Sequence, residues 1–184
     1  MKEAKTYFEF QVQPKIPLNS NYYDITNGNV IKWQIDLAKQ HNVFGFCLYH
    51  YWSNGKRILS DGVDSFLRNN DNFPFSFCWA NHNWTRQWQG KGNEILFHQE
   101  YSKLDIQAQV NWLVTHVFCK TNYIRINGKL LFTIFSIYNL PDAKEYIAQL
   151  REEAKKYYEE LFIISMLKTN KHSQFSKVLV LIVL

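Results

Sequence analysis

The sequence predicts an α/β fold in which parallel strands alternate with covering helices. Four short apolar segments, each bounded by polar residues, are typical of buried strands: 43–51, 73–79, 130–135 and 161–167. Segments with helical spacing of their apolar residues lie between these strands. Strands that are apolar throughout indicate a parallel sheet that is covered on both faces.

Each helix prediction depends on its apolar stripe and its terminal residues. The predicted helices cover 30–40, 61–69, 102–117 and 142–157, and the pattern over 61–69 is the weakest. In the third helix, Ser102 with Asp105 three residues later resembles a capping box. Pro141 stands just before the fourth helix, where a first-turn proline is tolerated.

Composition limits the classes of protein that the chain can belong to. Its 184 residues are 46% hydrophobic and 20% charged, which is enough apolar content for a core and excludes a disordered chain. No run approaches the ~20 apolar residues of a membrane span. The charged N-terminus is unlike a signal peptide, so a cytoplasmic protein with no transmembrane segment is expected.

The three cysteines and the known short motifs give little support for cofactor chemistry. Cys47, Cys78 and Cys119 have apolar neighbours and lack metal-ligand spacing, so we interpret them as small buried side chains. The dinucleotide, P-loop, zinc-protease, serine-hydrolase and thioredoxin motifs are absent from the sequence. No cofactor and no metal site are predicted.

Aromatic and polar residues follow two predicted strands directly. Right-handed crossovers bring the carboxyl ends of parallel strands to one edge, which is where such folds bind ligands. Residues 49–57 (YHYWSNGKR) and 79–90 (WANHNWTRQWQG) contribute to this edge. Indole and phenol rings pack on the C–H face of a sugar, and amide, imidazole and guanidinium groups bind its hydroxyls. The two clusters therefore favour a saccharide site.

Structural interpretations of the same clusters stay open. The tryptophans of 79–90 can fold back over the sheet edge, and His50 at a strand end can be structural. Asn54–Gly55 is also a turn signal. Glycoside cleavage needs two carboxyl groups about 5–10 Å apart. The candidates near the predicted edge are Asp24, Glu94 and Glu100, and they do not form an evident acid–base pair.

The segments WQIDLAKQHNVFGFCLYHYWSNGKRIL, FPFSFCWANHNWTRQWQGKGNEILFHQEYS and YIRINGKLLFTIF closely resemble the WbsX-type glycosyltransferases. These are lipopolysaccharide and O-antigen biosynthesis proteins related to glycoside hydrolase family ninety-nine. The resemblance implies a (β/α)₈ TIM-barrel-like fold acting on glycans. The residues that it implies for the sugar cleft are Tyr49, His50, Tyr51, Trp52, Trp79, Asn81, Asn83, Trp84 and Arg86. His82 stands where the family usually has glutamate, and we expect it to hydrogen-bond a sugar hydroxyl.

The resemblance also predicts how the chain is organised. The match runs from about Gln13 to Leu167, so we expect residues 1–167 to form a partial barrel domain and 168–184 to form an unmatched basic and apolar tail. Family members carry an additional N-terminal strand and a later segment with two glutamates that match the catalytic pair of the hydrolases. We therefore expect an incomplete barrel, truncated at both ends, that lacks the catalytic carboxylates and is inactive alone.

Three functional hypotheses follow, in order of support. The first is a glycosyltransferase-like protein of polysaccharide or lipopolysaccharide biosynthesis that takes a glycan or sugar-nucleotide substrate. The second is a non-catalytic carbohydrate-binding remnant or partner subunit that self-associates through exposed sheet edges. The third hypothesis, nucleic-acid binding, has the least support. The net charge of +5 is modest and most of the chain mixes both signs, so we predict no nucleic-acid partner.

Overall fold

The computed structural model describes residues 8–10, 17–167 and 179–183. The strands of this part are β1 (Phe46–Ser53), β2 (Lys56–Ile58), β3 (Phe75–Trp79), β4 (Trp84–Arg86), β5 (Lys91–Phe97), β6 (Arg125–Ile126), β7 (Lys129–Ile134), β8 (Leu161–Leu167) and β9 (Leu179–Val183). The helices are α1 (Gly28–Gln40), α2 (Asp61–Asn69), α3 (Lys103–Leu113) and α4 (Ala143–Lys155).

The main sheet has the order β2-β1-β3-β7-β8-β9, and β6 pairs with β7. Strands β1, β3, β7 and β8 are parallel neighbours, as the four apolar segments predicted. Strands β2 and β9 pair antiparallel at the two ends of this order, so the sheet is open over the described residues. The chain therefore has a mixed α/β fold whose four parallel strands end at one edge.

Helix ends follow local capping chemistry. The Ser102 side chain accepts a hydrogen bond from the Asp105 backbone N–H, which confirms the predicted start of α3. After Leu113 the chain continues as a π-helical turn over Val114–Phe118. Helix α4 begins at Ala143 because Asp142 caps it, accepting from the backbone N–H of Glu145.

The core lies between the sheet and the helices, which pack on one face of the sheet. Phe66 of α2 contacts Phe75 of β3, and Tyr146 of α4 stacks on Trp79. All residues of β3 are buried. On β1, however, alternate side chains such as Cys47 and Tyr49 are exposed, so the expectation that both faces are covered is wrong for this strand.

Two further sequence expectations concern the cysteines and the C-terminal tail. Cys78 is buried as predicted, but Cys47 and Cys119 are exposed, because Cys47 points away from the helices and Cys119 follows the π turn. Of the predicted tail, 168–178 and residue 184 lie outside the described residues, while β9 pairs with β8. None of the helices in the described part is long and apolar enough to cross a bilayer.

Candidate functional site

The segments that follow β1, β3 and β7 meet at the carboxyl edge of the sheet. A separate two-stranded hairpin, β4–β5, is inserted after β3 and carries much of the tryptophan-rich cluster. The chain then returns through His98–Glu100 to the end of β1 before α3 begins. This hairpin places Trp84 next to Tyr51, with ring centroids 5.4 Å apart in an edge-on arrangement.

The face of the sheet that points away from the helices ends in a row of aromatic rings at this edge. Tyr49 lies 6.1 Å from Tyr51 and 5.9 Å from Phe135, and Trp84 lies 5.5 Å from Phe97. Tyr49 is 45% exposed, and Tyr51 and Trp84 are half-buried. We call these five side chains the aromatic row. They give the edge a surface on which a flat apolar ligand face can pack.

Two adjacent cavities of about 370 Å³ each lie at this edge, and the first of them is lined in part by Trp84 and Phe135 of the aromatic row. The aromatic cavity is lined by His82, Asn83, Trp84, Thr85, Gln87, Trp88, Phe135 and Asn139. The polar cavity is lined by His82, Asn83, His98, Gln99, Tyr101 and Asn139. The two share His82, Asn83 and Asn139, so these three side chains separate two adjacent spaces. The His82 ring packs against Phe135 with centroids 5.3 Å apart.

Hydrogen bonds hold the returning segment against the end of β1. The Asn83 Oδ1 accepts from the Gln99 backbone N–H at 2.7 Å, and Gln99 Nε2 donates to the Trp52 carbonyl at 2.8 Å. The Ser53 hydroxyl oxygen accepts from the Glu100 N–H at 2.7 Å. Because Gln99 is only 2% exposed and is held by these hydrogen bonds, it forms a rigid part of the wall of the polar cavity.

Asn81 joins the ends of β3 and β7 from inside the protein. Its side-chain N–H donates to the Ser136 carbonyl at 2.8 Å, and its Oδ1 accepts from the Ser136 N–H at 2.9 Å. The Asn81 carbonyl accepts from the Tyr101 hydroxyl and from Asn139 Nδ2. Asn81 is fully buried, so its side chain positions neighbouring residues instead of facing a cavity.

The structure places three other predicted site residues against the helices. Trp52 donates from Nε1 to Asp105 Oδ1 at 2.9 Å, and Trp79 donates to the Trp52 carbonyl at 3.2 Å. His50 stacks between Phe77 and Trp112 at centroid distances of 5.3 Å. Burial, with the nearby Arg57 guanidinium, lowers the pKa of His50 to about 3, so the imidazole is neutral.

The charged residues of the hairpin form surface ion pairs. Arg86 Nε lies 3.0 Å from Glu94 Oε2, and Lys91 pairs with the other oxygen of Glu94. Glu100 Oε1 lies 3.4 Å from His98 Nδ1 at the mouth of the polar cavity. Asp24, the third candidate acid of the sequence, accepts from the Thr26 backbone N–H and hydroxyl instead.

A further cavity of about 400 Å³ lies at the opposite, amino-terminal edge of the strands. Its lining includes Lys129, Arg151, Lys155 and Glu160, and Lys129 is ion-paired with Glu160. Although it is slightly larger, we place the candidate site at the carboxyl edge, where parallel α/β sheets bind ligands and the aromatic row lies.

Several cavity residues were not identified from the sequence. Phe135 and Asn139 lie within the first five residues after β7, so the strand-end reasoning applied to the first two strands could have found them. Gln99 and Tyr101 lie after the end of β5, in the segment that returns to the end of β1, and no predicted strand end points to them. Over the residues that the structure describes, no cluster of three or more His, Cys, Asp or Glu side chains could hold a metal ion.

Comparison with known proteins gives relatives over most of the chain. The chain is 29% identical over 145 residues to proteins described as "Uncharacterized protein WxcX" from Xanthomonas campestris pv. campestris strains B100 and ATCC 33913. The match covers 78% of this chain, which spans 21% of the length of these relatives.

A solved structure and a family model extend this result. The structure, described as a "Glycoside hydrolase-like protein", matches with a TM-score of 0.59 and 19% identity over 85% of this chain and 51% of that chain. This likeness shows a shared fold. The model of the family described as "Glycosyltransferase WbsX" matches residues 1–181. On this match the chain belongs to the WbsX glycosyltransferase family.

Proposed function

We propose that this chain is a carbohydrate-active protein that binds a saccharide at the carboxyl edge of its sheet. The observation that carries the proposal is the aromatic row beside two adjacent cavities lined by imidazole and amide groups. Membership of the WbsX glycosyltransferase family supports a sugar as the ligand class. Sugar nucleotides and glycans of polysaccharide or O-antigen biosynthesis are the candidate substrates.

The chemistry of the two cavities fits the two kinds of surface on a pyranose. The C–H face packs on Trp84 or Trp88 in the aromatic cavity, because an indole ring offers a large apolar surface. The hydroxyls hydrogen-bond to Asn83, His82 and Asn139, which line both cavities and supply donors and acceptors. Arg86, on the same hairpin, is paired with Glu94 and is not among the residues that line the two cavities.

The interior residues have a positioning role in this proposal. Asn81 fixes the segment that carries His82 and Asn83, because its side chain is bonded to the end of β7. Trp52 and Trp79 are linked through the Trp52 carbonyl, which also accepts from Gln99. A site held by buried hydrogen bonds is rigid before the ligand arrives, which reduces the entropic cost of binding.

We also propose that the four parallel strands are an arc of a (β/α)₈ barrel. Their chain order, β1, β3, β7 and β8, is the same as their order in the sheet, as in a barrel. In such an arc the helices lie outside and the aromatic row lies at the carboxyl-terminal mouth. This arrangement agrees with the glycoside hydrolase-like fold and with the position of the two cavities.

Binding without turnover is the activity that we propose for this chain alone. Glycosyl transfer through a cationic transition state uses carboxyl groups placed on both sides of the sugar. Of the two glutamates near the carboxyl edge that the sequence singled out, Glu94 is held between Arg86 and Lys91. Glu100 Oε1 lies 3.4 Å from His98 Nδ1, and the two glutamates do not form a carboxylate pair on either side of a cavity that the structure describes. His82 can donate or accept a hydrogen bond but does not replace a carboxylate pair.

Saturation-transfer NMR tests the proposal. The probes are methyl glycosides of glucose, galactose, mannose and N-acetylglucosamine, together with their UDP- or GDP-linked forms. Probe concentrations up to roughly 10 mM allow the experiment to detect binding with a free energy near −3 kcal/mol. We expect at least one probe to bind the wild-type chain, with affinity reduced about tenfold or more in Trp84→Ala. Trp33→Ala is the matched control, because Trp33 is also exposed but lies on α1.

Two results would contradict the proposal. One is the absence of binding by every probe to a chain that remains folded by circular dichroism. The other is an equal loss of binding in the Trp84 and Trp33 variants, which would show a nonspecific aromatic effect. Incubation of the chain with sugar nucleotides and acceptor glycans should give no transfer, and clear turnover would overturn the proposal of binding alone.

A further inference from the structure

Asp105 reaches the end of β1 from the interior of the protein. It lies in the first turn of α3, whose start is capped by Ser102, and it is 4% exposed. Its Oδ1 atom accepts a hydrogen bond from the Trp52 indole N–H at 2.9 Å and another from the Gly55 backbone N–H at 2.6 Å. One carboxyl oxygen therefore holds both the last part of β1 and the turn that follows it.

The turn that Asp105 holds is open on one side. Asn54 and Gly55 have φ angles of 51° and 69°, in the left-handed region. A Cβ atom placed on Gly55 would meet no other atom within 4 Å. The hydrogen bond from Gly55 to Asp105 is therefore a direct link between this open turn and α3.

Hydrogen bonds continue from Trp52 to the wall of the polar cavity. The Trp52 carbonyl accepts from Gln99 Nε2 at 2.8 Å, and the Gln99 backbone N–H donates to Asn83 Oδ1 at 2.7 Å. Gln99 and Asn83 both line the polar cavity, whereas Trp52 and Asp105 line neither of the two cavities. Successive hydrogen bonds therefore connect the Asp105 carboxyl group on α3 to the cavity wall.

The buried face of α3 contains two kinds of residue. Ile106 and Val110 are each 1% exposed and fill the core with apolar side chains. Asp105 is also buried, although a carboxyl group is costly to bury unless hydrogen bonds compensate it. Burial raises the pKa of Asp105, and the hydrogen bonds from Gly55 and Trp52 act in the opposite direction. Core packing does not explain a carboxyl group at this position, whereas its two hydrogen bonds to the end of β1 do.

We propose that Asp105 is a positioning residue of the saccharide site, which holds Trp52 and, through it, the cavity wall formed by Gln99 and Asn83. This inference rests on the saccharide binding proposed above. Both donors to Asp105 are neutral groups, so the role requires an acceptor oxygen at Oδ1 and not a negative charge. Asparagine offers the same acceptor in the same shape, whereas alanine offers none.

The saccharide affinities of three variants test the proposal. The measurement is saturation-transfer NMR with the probe that binds the wild-type chain most tightly. We expect Asp105→Ala to lower the affinity about fivefold or more, and Asp105→Asn to keep it within about twofold of the wild type. Val110→Ala is the matched control, because it removes a buried side chain from the same helix without touching these hydrogen bonds. It should keep the wild-type affinity while circular dichroism shows a folded chain.

Hydrogen exchange of backbone amides tests the same link without a ligand. The reference is the Phe77 N–H, which is buried in β3, donates to the Tyr123 hydroxyl and reports global opening. Relative to this reference, the Gln99 N–H should exchange about tenfold faster in Asp105→Ala, and at the wild-type ratio in Asp105→Asn. If Asp105→Ala does not fold, Trp52→Phe replaces it, since it removes the indole donor and keeps an aromatic ring. The same direction is expected in both measurements.

The outcomes separate this proposal from the saccharide function. Unchanged affinity or an unchanged exchange ratio in Asp105→Ala would overturn the positioning role. Equal losses of affinity in Asp105→Ala and Asp105→Asn would overturn the requirement for an acceptor oxygen, and an equal loss in Val110→Ala would show a general effect of destabilisation. If no probe binds the wild type, the saccharide function fails, whereas a raised exchange ratio would still show that Asp105 holds the Gln99 segment.

Discussion

The two faces of β1 carry similar side chains in different environments. His50 and Trp52 point to the helices and are 2% and 4% exposed, whereas Tyr49 on the other face is 45% exposed. Successive side chains of a strand point to opposite faces, so the run YHYW divides into an interior pair and a surface pair. A cluster at a strand end therefore combines residues that hold the fold with residues that can meet a ligand.

The largest expected effect is at an interior tryptophan of the neighbouring strand. Trp79 is fully buried, stacks on Tyr146 and donates to the Trp52 carbonyl. Trp79→Ala should lower the free energy of unfolding by about 3–5 kcal/mol, the usual cost of removing a buried aromatic ring. Urea denaturation followed by far-UV circular dichroism measures this change. A loss below about 1 kcal/mol would contradict the interior placement.

A pair of asparagines sharpens the comparison. Asn81→Ala removes both side-chain bonds to Ser136 and leaves a buried donor and acceptor unpaired, which should cost about 2–3 kcal/mol. Asn83 is exposed and accepts one bond from Gln99, so Asn83→Ala should cost about 1 kcal/mol or less.

Saccharide binding should respond differently to the Asn83 substitution, because Asn83 lines both cavities. The binding experiment is interpreted only for variants that remain folded at the assay temperature. Equal stability losses in Asn81→Ala and Asn83→Ala would refute the division between a positioning and a contacting asparagine.

Much of the fold could be predicted because its signals are local. The four apolar segments became β1, β3, β7 and β8, and Ser102 capped α3 as its spacing indicated. The short strands β2 and β4 were not predicted, since three residues are too few for a periodic pattern. The turn at Asn54–Gly55 was recognised, and both residues have the positive φ that this sequence signal indicates.

The composition of the candidate site was easier to predict than its geometry. Sequence order placed polar and aromatic residues at the correct edge, because parallel strands end together. It did not divide them between the two faces, since that depends on strand register and on where each strand ends. Nor did it connect Asn81 to Ser136, 55 residues away, because this contact exists only after β3 and β7 have paired.

The pH dependence of stability tests whether His50 is buried and neutral. Its pKa is about 3 in the folded chain, against about 6.5 for an ordinary histidine. The unfolded chain therefore binds the additional proton as the pH falls below about 6.5, and stability is lost between that pH and about 3. From pH 7 to pH 5 this contribution is about 2 kcal/mol.

His50→Phe removes the titrating group while keeping a ring between Phe77 and Trp112. Urea unfolding at pH 7 and pH 5 should show that the variant loses about 2 kcal/mol less than the wild type over this range. Parallel losses in the two proteins would mean that the imidazole is already accessible to protons in the folded state.

The smallest effect on stability is expected at Trp88, which is as exposed as Trp79 is buried. Trp88 is 92% exposed and lines the aromatic cavity, so Trp88→Ala should change the free energy of unfolding by no more than about 0.5 kcal/mol. Its saccharide affinity should nevertheless fall about fivefold, or roughly 1 kcal/mol, if the indole covers a bound ring. Trp84 is half-buried against Tyr51 and Phe97, so Trp84→Ala should lose some stability as well as binding. A Trp88 variant that binds every saccharide probe as tightly as the wild type would restrict the ligand to the inner part of the cavity, on Trp84 alone.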